Sequence, residues 1–286
     1  MQYIDSSFLK KLNTPPKNSH KGDNGKLTII GGSKLFHGAS LWALKVASQI
    51  VDMLYYSSVA ENYELIKDLK KELYSFICIP EGKENDYLSQ SDAILIGPGM
   101  VRGDESYTGT GESGEQTKQK VLNFLIKFPD KKWVIDAGAL QAISLSDLEK
   151  LQNVIITPHE KEFEKFFQLQ ITNYELEEKA ELVFQLAKKH NLTIVLKGPK
   201  DIIASPTNLI LNKTGNEGMT KGGTGDVLAG LISALFCTND AFTSATVGTY
   251  INGLAGDFLY QSVGPYFNAD QLATQVPKTL WEEIKK

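Results

Sequence analysis

The residues best suited to chemistry lie in one glycine-rich stretch near the end of the chain, residues 212–226. Five glycines between positions 215 and 225 allow the backbone to turn sharply and to approach a ligand closely. The apolar run that follows, residues 227–236, predicts a buried helix that begins near Gly223. A helix start has unpaired N–H groups and partial positive charge, so this loop is suited to hold an anion. In the first turn, the Asp226 carboxylate either acts as a base beside the anion or only complements the helix dipole.

Four more polar clusters each follow a short apolar segment that we predict to be a strand. They come after Ile30, Ile96, Ile156 and Leu196. The carboxyl ends of strands in an open parallel sheet lie along one edge, where such folds bind their ligands. With the glycine-rich stretch they make five polar clusters at one edge, which turn chemistry alone explains poorly.

Individual side chains in these clusters have a functional and a structural interpretation. We expect His159, at a strand end, to contact a ligand. Glu162 is suited to hold a magnesium-bound phosphate through water, unless it is only a solvated helix charge. Lys197 either meets a phosphate or marks the exit of a strand into water. Asp136 is either a functional carboxylate or a solvated one.

Short apolar strands alternate with helices along the chain, as expected of parallel βαβ units. The predicted strands cover residues 27–30, 53–58, 76–79, 93–96, 133–136, 154–156 and 192–197, with a hairpin over 202–211 that turns at 205–208. The predicted helices cover residues 39–48, 61–73, 116–127, 160–168, 174–190, 227–236, 241–261 and 269–284. No linker or repeat interrupts the pattern, so we expect residues 1–286 to form a single domain.

The polar segment 101–116 has no periodicity, and we expect it to be a mobile loop. Within it, residues 109–114 match the dinucleotide-binding pattern G-x-G-x-x-G. We reject this match because no strand immediately precedes it, and that mode of binding needs a strand, a turn and a helix in succession.

Composition argues against several classes of function. Of 286 residues, 42% are hydrophobic, enough for a substantial core. The 30 basic and 34 acidic residues give a charge of −4 without a long basic run, which argues against a nucleic-acid partner. Two distant cysteines suit a reducing compartment and offer no zinc cage. Without a signal core or an apolar run of membrane-spanning length, we expect a cytoplasmic protein that has no membrane partner.

Residues 212–230 resemble the signature of the ADP-dependent NAD(P)H-hydrate dehydratases, nicotinamide-repair enzymes of the ribokinase-like superfamily. Shorter matches at 31–33, 38–39, 97–99, 157–162 and 197–198 extend the resemblance over about residues 25–262. It implies a ribokinase-like three-layer α/β/α sandwich with a mostly parallel central sheet. No epimerase domain precedes it in the sequence, so we expect the stand-alone dehydratase. The resemblance also implies a homo-oligomer, commonly a tetramer.

The resemblance implies roles for individual residues. Asp226, with Gly223 and Gly225, would be catalytic. Hydrated NADH or NADPH would contact Ala39, Gly99, His159 and Asp226. Glu162 would help to hold Mg²⁺ through water. The residues that would border the adenine nucleotide are Lys197, Gly198, Pro199, Lys200, Asp201, Asn216, Gly218, Met219, Gly222, Gly223, Thr224 and Gly225.

The implied reaction uses ADP, with ATP as the alternative donor, to phosphorylate the hydroxyl group of (S)-NAD(P)H hydrate. Loss of phosphate then restores the nicotinamide double bond, and AMP remains. The chemistry of the glycine-rich stretch agrees with this reaction. Asp226 could take the hydroxyl proton, and the N–H groups of residues 222–225 could hold the migrating phosphoryl group.

Three segments of the sequence depart from the usual family pattern. Gly138 stands where a second aspartate is usual, Glu160 and Lys161 replace proline and glycine, and Met100 opens a long loop where glycine is usual. Two other functions share the same loop chemistry. One is a kinase of the same superfamily that acts on a vitamin precursor or a sugar alcohol, and the other is a nucleotide-binding sensor that has lost turnover. The lead-in 212–216 and the histidine after Thr-Pro favour the dehydratase over the kinase.

Overall fold

A single mostly parallel sheet carries the site. The computed structural model describes residues 2–80, 82–103, 105–106 and 112–286, and in that part of the chain nine strands pair edge to edge. The strands are β1 Lys26–Ile30, β2 Met53–Ser57, β3 Ile77–Cys78, β4 Ala93–Ile96, β5 Lys132–Ile135, β6 Asn153–Ile156, β7 Thr193–Leu196, β8 Asp201–Ala204 and β9 Leu209–Asn212. Their order is β3-β2-β1-β4-β5-β6-β7-β8-β9. Strands β1 to β7 are parallel, while β8 runs antiparallel to both of its neighbours, β7 and β9.

Helices cover both faces of the sheet. Those in the described part of the chain are α1 His37–Ala47, α2 Asn62–Leu69, α3 Glu84–Gln90, α4 Gly114–Lys127, α5 Ala137–Ala142, α6 Glu160–Phe167, α7 Leu176–His190, α8 Thr224–Phe236, α9 Ala241–Val263 and α10 Ala269–Ile284. Helices α3 to α7 share a core with one face, and α1, α2, α8 and α9 share a core with the other. Helix α10 packs outside this second layer.

Burial on both faces explains why the strands are uniformly apolar. In β4, Ile94 and Ile96 belong to the core beneath α3 to α7, while Leu95 belongs to the opposite core. All three are 0% exposed. A strand covered on both sides needs apolar residues at every position rather than at alternate positions.

The close contact between α1 and α8 fixes where the glycine-rich stretch ends. Eleven of the thirteen residues of α8 are buried. A Cβ atom on Gly230 would lie 2.6 Å from the Ala43 Cα atom, so only glycine permits this approach. Both helices start at the carboxyl edge of the sheet and run side by side. Their first turns are therefore held together at that edge.

The fold class predicted from the sequence is confirmed, including the hairpin, in which the Ser205 N–H donates to the Asn208 carbonyl at 2.8 Å. Two short helices, α3 and α5, were not predicted. Helix α3 buries only Leu88, so it lacks an apolar stripe. The helix predicted over 61–73 ends at Leu69.

The polar segment 101–116 becomes helical earlier than expected. A capping box between Ser113 and Gln116 starts α4 at Gly114. Residues 107–111, which contain the first part of the rejected dinucleotide pattern, lie outside the described residues. Among the helices that the structure describes, none has the length and apolar character to cross a membrane.

Candidate active site

The start of α8 is shaped by a glycine that no other residue could replace without strain. Gly223 has φ +98°, and a Cβ atom there would lie 2.5 Å from the Trp42 ring and 2.6 Å from the Ala269 side chain. The next residue ties the helix start to the preceding loop, because Thr224 Oγ1 donates to the Met219 carbonyl at 2.6 Å. This turn places the first helical residues at the carboxyl edge of the sheet.

A cluster of charged side chains lies beside this helix start: Asp136 after β5, Glu162 in α6, Lys197 after β7 and Asp226 in α8. The Lys197 Nζ atom lies 3.2 Å from Asp136 Oδ1. The same Asp136 oxygen accepts a 2.7 Å hydrogen bond from Thr157 Oγ1, and Asp136 is only 1% exposed. Residues from four separate parts of the chain thus lie close together, as predicted for polar residues at the carboxyl ends of neighbouring strands.

The electrostatics of the cluster distinguish Asp226 from its neighbours. The pKa of Asp226 is raised from 3.8 to about 7, chiefly by desolvation and also by repulsion from Asp136, while the Lys197 cation opposes the rise. Desolvation lowers the pKa of Lys197, but the three carboxylates outweigh it, and the pKa of the lysine is raised overall. Lys197 therefore stays charged near neutral pH. Asp226 therefore gains and loses its proton near neutral pH, as a general acid or base in catalysis must.

His159 and Glu162 start α6 together and hold each other in place. The His159 N–H donates to Glu162 Oε2 at 3.0 Å, and the Glu162 N–H donates to His159 Nδ1 at 3.2 Å. The Lys197 N–H donates to the Pro158 carbonyl at 2.9 Å, which brings the two strand exits side by side. The side chain of His159 remains 52% exposed, so it is accessible to a ligand.

The magnesium expectation for Glu162 stays a prediction. Both carboxylate oxygens accept hydrogen bonds, since Gln141 Nε2 donates to Oε1 at 2.8 Å and His159 donates to Oε2. In residues 2–80, 82–103, 105–106 and 112–286, no three His, Cys, Asp or Glu side chains are grouped to hold a metal ion. Mg²⁺ commonly keeps several waters and binds through substrate phosphates, so contact through water suits this arrangement.

Ala39 and Gly99, expected at the substrate, lie against each other. Gly99 has φ +73°, and a Cβ atom there would be 3.1 Å from the Ala39 Cβ. Ala39 is one helical turn before Ala43 in α1, and Asp226 is one turn before Gly230 in α8. Because Ala43 and Gly230 are in contact, Ala39 and Asp226 lie at the same end of this helix pair.

A cavity of about 660 Å³ opens next to the charged cluster. Pockets of this size hold drug-sized ligands and cofactors. Eight of the twelve residues expected at the nucleotide line it, together with His159: Lys197, Gly198, Pro199, Asp201, Asn216, Met219, Thr224 and Gly225.

The other four expected nucleotide residues lie outside the lining of this cavity. Gly218 packs against Phe267, whose ring would be 2.5 Å from an added Cβ atom, and Gly223 packs against Trp42. Lys200 and Gly222 are exposed. The two packed glycines shape the loop, and contact of all four residues with a nucleotide stays a prediction.

Asp201 lines the cavity and also supports its wall. Its Oδ1 atom accepts a 3.0 Å hydrogen bond from the Gly198 N–H, and its Oδ2 atom accepts one of 3.0 Å from Asn212 Nδ2. Burial raises the pKa of this carboxyl group. Asp201 therefore joins the exit of β7 to the end of β9, just before the glycine-rich stretch.

One wall of the cavity comes from α9 and was missed at the level of sequence. Thr249, Asn252 and Gly253 line it, opposite the residues that follow β7. A Cβ atom on Gly253 would lie 2.3 Å from Thr214 Oγ1, and one on Gly256 would lie 2.4 Å from Met219 Sδ. Two glycines three residues apart inside a predicted helix were the signal that another segment packs closely there.

Three of the four residues in the departures from the family pattern have local explanations. A Cβ atom on Gly138 would lie 2.1 Å from the Met100 carbonyl oxygen, so the glycine and the changed loop form one feature. Glu160 Oε2 accepts a 2.7 Å hydrogen bond from Lys179 Nζ and ties the start of α6 to α7. Nothing in the structure explains Lys161.

The sheet order, the hairpin after β7 and the glycine loop that opens a buried helix define a ribokinase-like protein. A ribokinase-like protein of known structure from Enterococcus faecalis shares this fold over 99% of the chain and 96% of its own length, with a TM-score of 0.83 and 22% identity. The family follows from the sequence: a family model described as NAD(P)H-hydrate dehydratase matches residues 27–278, and the chain belongs to this family.

Several relatives carry related names. The chain is 33% identical over 268 residues to the ADP-dependent (S)-NAD(P)H-hydrate dehydratase of Cenarchaeum symbiosum, covering 92% of this chain and 91% of that protein. It is 41% identical over 273 residues, or 95% of its length, to the bifunctional NAD(P)H-hydrate repair enzyme of Methanocaldococcus jannaschii, but it spans only 51% of that relative. The ADP/ATP-dependent NAD(P)H-hydrate dehydratase of Bacillus subtilis, co-crystallised with ATP and Mg²⁺, has a TM-score of 0.79 and 25% identity, with 99% and 98% of the two chains covered.

Proposed function

We propose that this chain catalyses the ADP-dependent dehydration of (S)-NAD(P)H hydrate to NAD(P)H. One observation carries the proposal: Asp226, with its pKa raised to about 7, stands beside the Lys197 cation at the start of α8. A base that titrates near neutral pH next to an anion-binding helix start suits phosphorylation of a hydroxyl group. The names of the relatives supply the substrate and the phosphoryl donor.

The first step transfers the terminal phosphoryl group of ADP. The hydroxyl oxygen of the hydrate forms a bond to the β-phosphorus, the bond from that phosphorus to the AMP oxygen breaks, and Asp226 takes the hydroxyl proton. Lys197 and the N–H groups at the start of α8 stabilise the phosphoryl oxygens. In the second step the carbon–oxygen bond breaks, phosphate leaves with the bonding electrons, and the adjacent ring carbon loses a proton to restore the double bond.

Mg²⁺ would bind chiefly through the nucleotide phosphates, with Glu162 in contact through water. The two carboxylate oxygens of Glu162 are fixed by Gln141 Nε2 and by the His159 N–H, so the carboxylate is held in place at the start of α6. When bound, the ion neutralises phosphate charge during transfer. Residues 1–286 would act as one catalytic unit, because the elements that carry the candidate residues follow strands of a single sheet.

The test is incubation of the purified chain with hydrated NADH or NADPH, Mg²⁺ and either ADP or ATP. We expect the nicotinamide absorbance to return and AMP to appear in step with it when ADP is the donor. The Asp226→Asn variant is the matched control for the chemical step. Phosphorylation of a sugar or vitamin precursor without repair of the hydrate would contradict the proposal and favour the kinase. ADP binding without any product would favour the sensor.

A further inference from the structure

Asn252, in the middle of α9, is a buried polar residue that takes no part in the proposed chemical steps. It is 4% exposed and lines the 660 Å³ cavity. Its Oδ1 atom is buried and has no hydrogen-bond partner in the described part of the chain. A buried acceptor left unpaired destabilises the folded state, so such an atom in a residue that lines a ligand cavity calls for an explanation.

The other polar side chains of this wall already have partners. Thr249 Oγ1 donates to the Ala245 carbonyl at 2.7 Å. Thr214 Oγ1 donates to the Tyr250 carbonyl at 2.9 Å. Asn216 Nδ2 donates to Asp257 Oδ1 at 3.0 Å, and Asn216 Oδ1 accepts from the Gly218 N–H at 3.0 Å. These bonds hold the loop against α9 and leave the carboxamide of Asn252 without such a role.

The cavity that Asn252 lines is partly apolar. Leu228 from α8 and Met219 from the loop line the same cavity, and Gly253 adds no side chain. Lys197 and Gly225 line it from the strand exit and the helix start, where phosphate groups are best held. A partly apolar cavity with one carboxamide oxygen that has no partner suits a flat nitrogen heterocycle, which is recognised by hydrogen bonds along one edge.

We propose that Asn252 recognises the base of the phosphoryl donor and selects adenine. The carboxamide turns about its terminal torsion, so that Oδ1, which is buried and has no partner among the described residues, accepts a hydrogen bond from the 6-amino group. In this orientation Nδ2 donates a hydrogen bond to the neighbouring ring nitrogen. An asparagine makes this paired contact with adenine in other recognition settings, while guanine has an oxygen in place of the amino group. The inference rests on the proposed function only in taking the cavity for the nucleotide site.

Thr246 provides a matched control in the same helix. Its Oγ1 atom is also buried without a partner in the described part of the chain, and the residue is 0% exposed. It does not belong to the residues that line the cavity. Thr246→Val removes an unpaired buried polar atom, as Asn252→Ala does, but at a position away from the nucleotide.

The experiment measures ADP and GDP binding by calorimetry, without hydrate, for the wild type, Asn252→Ala, Asn252→Asp and Thr246→Val. We expect the wild type to prefer ADP by at least about tenfold. Asn252→Ala should weaken ADP binding by about ten- to a hundredfold and bring the ratio of ADP affinity to GDP affinity close to one. The melting temperature of this variant should stay unchanged. Thr246→Val should change neither affinity.

Asn252→Asp keeps the shape and the acceptor but loses the donor, so it should weaken ADP binding while it keeps the preference for ADP over GDP, and it provides a second test if the alanine variant does not fold. An unchanged ratio of ADP to GDP affinity in folded Asn252→Ala, or an unchanged ADP affinity in folded Asn252→Asp, overturns the role of Asn252. If the hydrate is still repaired in that case, the proposed function stands and only the base recognition is wrong. If the wild type binds neither nucleotide, both proposals fail together.

Discussion

Replacing Asp226 by asparagine should stabilise the folded protein at neutral pH and at the same time lower its turnover strongly. The folded pKa of about 7 against an ordinary 3.8 is a shift of about three units. At about 1.36 kcal/mol per unit, this corresponds to at most about 4 kcal/mol. Because the folded pKa is the higher one, the folded state keeps the proton while the unfolded state loses it. Wild-type stability therefore falls as pH rises from about 4 to about 7 and is level above that.

Asparagine at position 226 has no proton that titrates in this range, so the stability of the variant does not fall in the same way as pH rises. The stability difference between variant and wild type should grow by about 2–3 kcal/mol between pH 5 and pH 8. For a chain of this size that is roughly 4–8 °C in melting temperature. Turnover should fall by about a hundred- to ten-thousandfold, the usual contribution of a positioned acid–base group.

The assay is denaturant or thermal unfolding at pH 5 and pH 8, with the dehydration rate measured in parallel. Asp270→Asn is the control, because Asp270 is also in the first turn of a helix but has a lowered pKa. Burial opposes that lowering, and hydrogen bonds from Lys45 and Trp42 outweigh it. Its loss should lower stability by a similar amount at both pH values. A pH-independent difference for Asp226→Asn, or near-normal turnover in the folded variant, would refute the reasoning.

Three further substitutions have defined outcomes. Lys197→Met removes the cation that lowers the pKa of Asp226, so the rising limb of kcat/KM against pH should move up by about one unit or more, and ADP binding should weaken. Gly223→Ala should cost roughly 2–5 kcal/mol of unfolding free energy, because φ is +98° and the added Cβ meets a tryptophan ring. Its control, Gly222→Ala, meets nothing within 4 Å and should change stability by less than about 0.5 kcal/mol. Gly138→Asp, which restores the usual family residue, should destabilise by about 1–3 kcal/mol without raising turnover; a gain in turnover would show that the neighbouring loop adapts.

Much of this site follows from the sequence because strand ends are local features. Apolar runs of four or five residues, each closed by a polar group, predict both the sheet and the edge where Asp136, Lys197 and Asp226 meet. The length of α8 is equally clear from its apolar character. Helix α5 was missed because a residue with φ +45°, Ala137, starts it directly after Asp136, and no local signal predicts that conformation.

The α9 wall of the cavity could not be predicted because it depends on distant contacts. Thr214 and Gly253 are far apart in the sequence and meet only when α9 lies across the glycine-rich stretch. The side-chain pattern of α9 does not distinguish the face toward the cavity from the face toward the core. Asn252 shows its character only in the folded chain, where its neighbours have partners and its Oδ1 atom does not.

The position of Asp226 illustrates why a functional site resists prediction by stability rules alone. A carboxylate that is desolvated and also lies near two others, with one lysine to offset them, weakens the folded state at neutral pH. The fold tolerates this because α8 is anchored elsewhere, by the contact of Gly230 with Ala43 and by a nearly continuous buried surface. That anchoring prevents the helix from moving to relieve the repulsion, so protonation of Asp226 is the response that remains. Because the helix stays in place, burial and the neighbouring carboxylates keep the pKa of Asp226 at about 7. A base with such a pKa can take up a proton and release it near neutral pH.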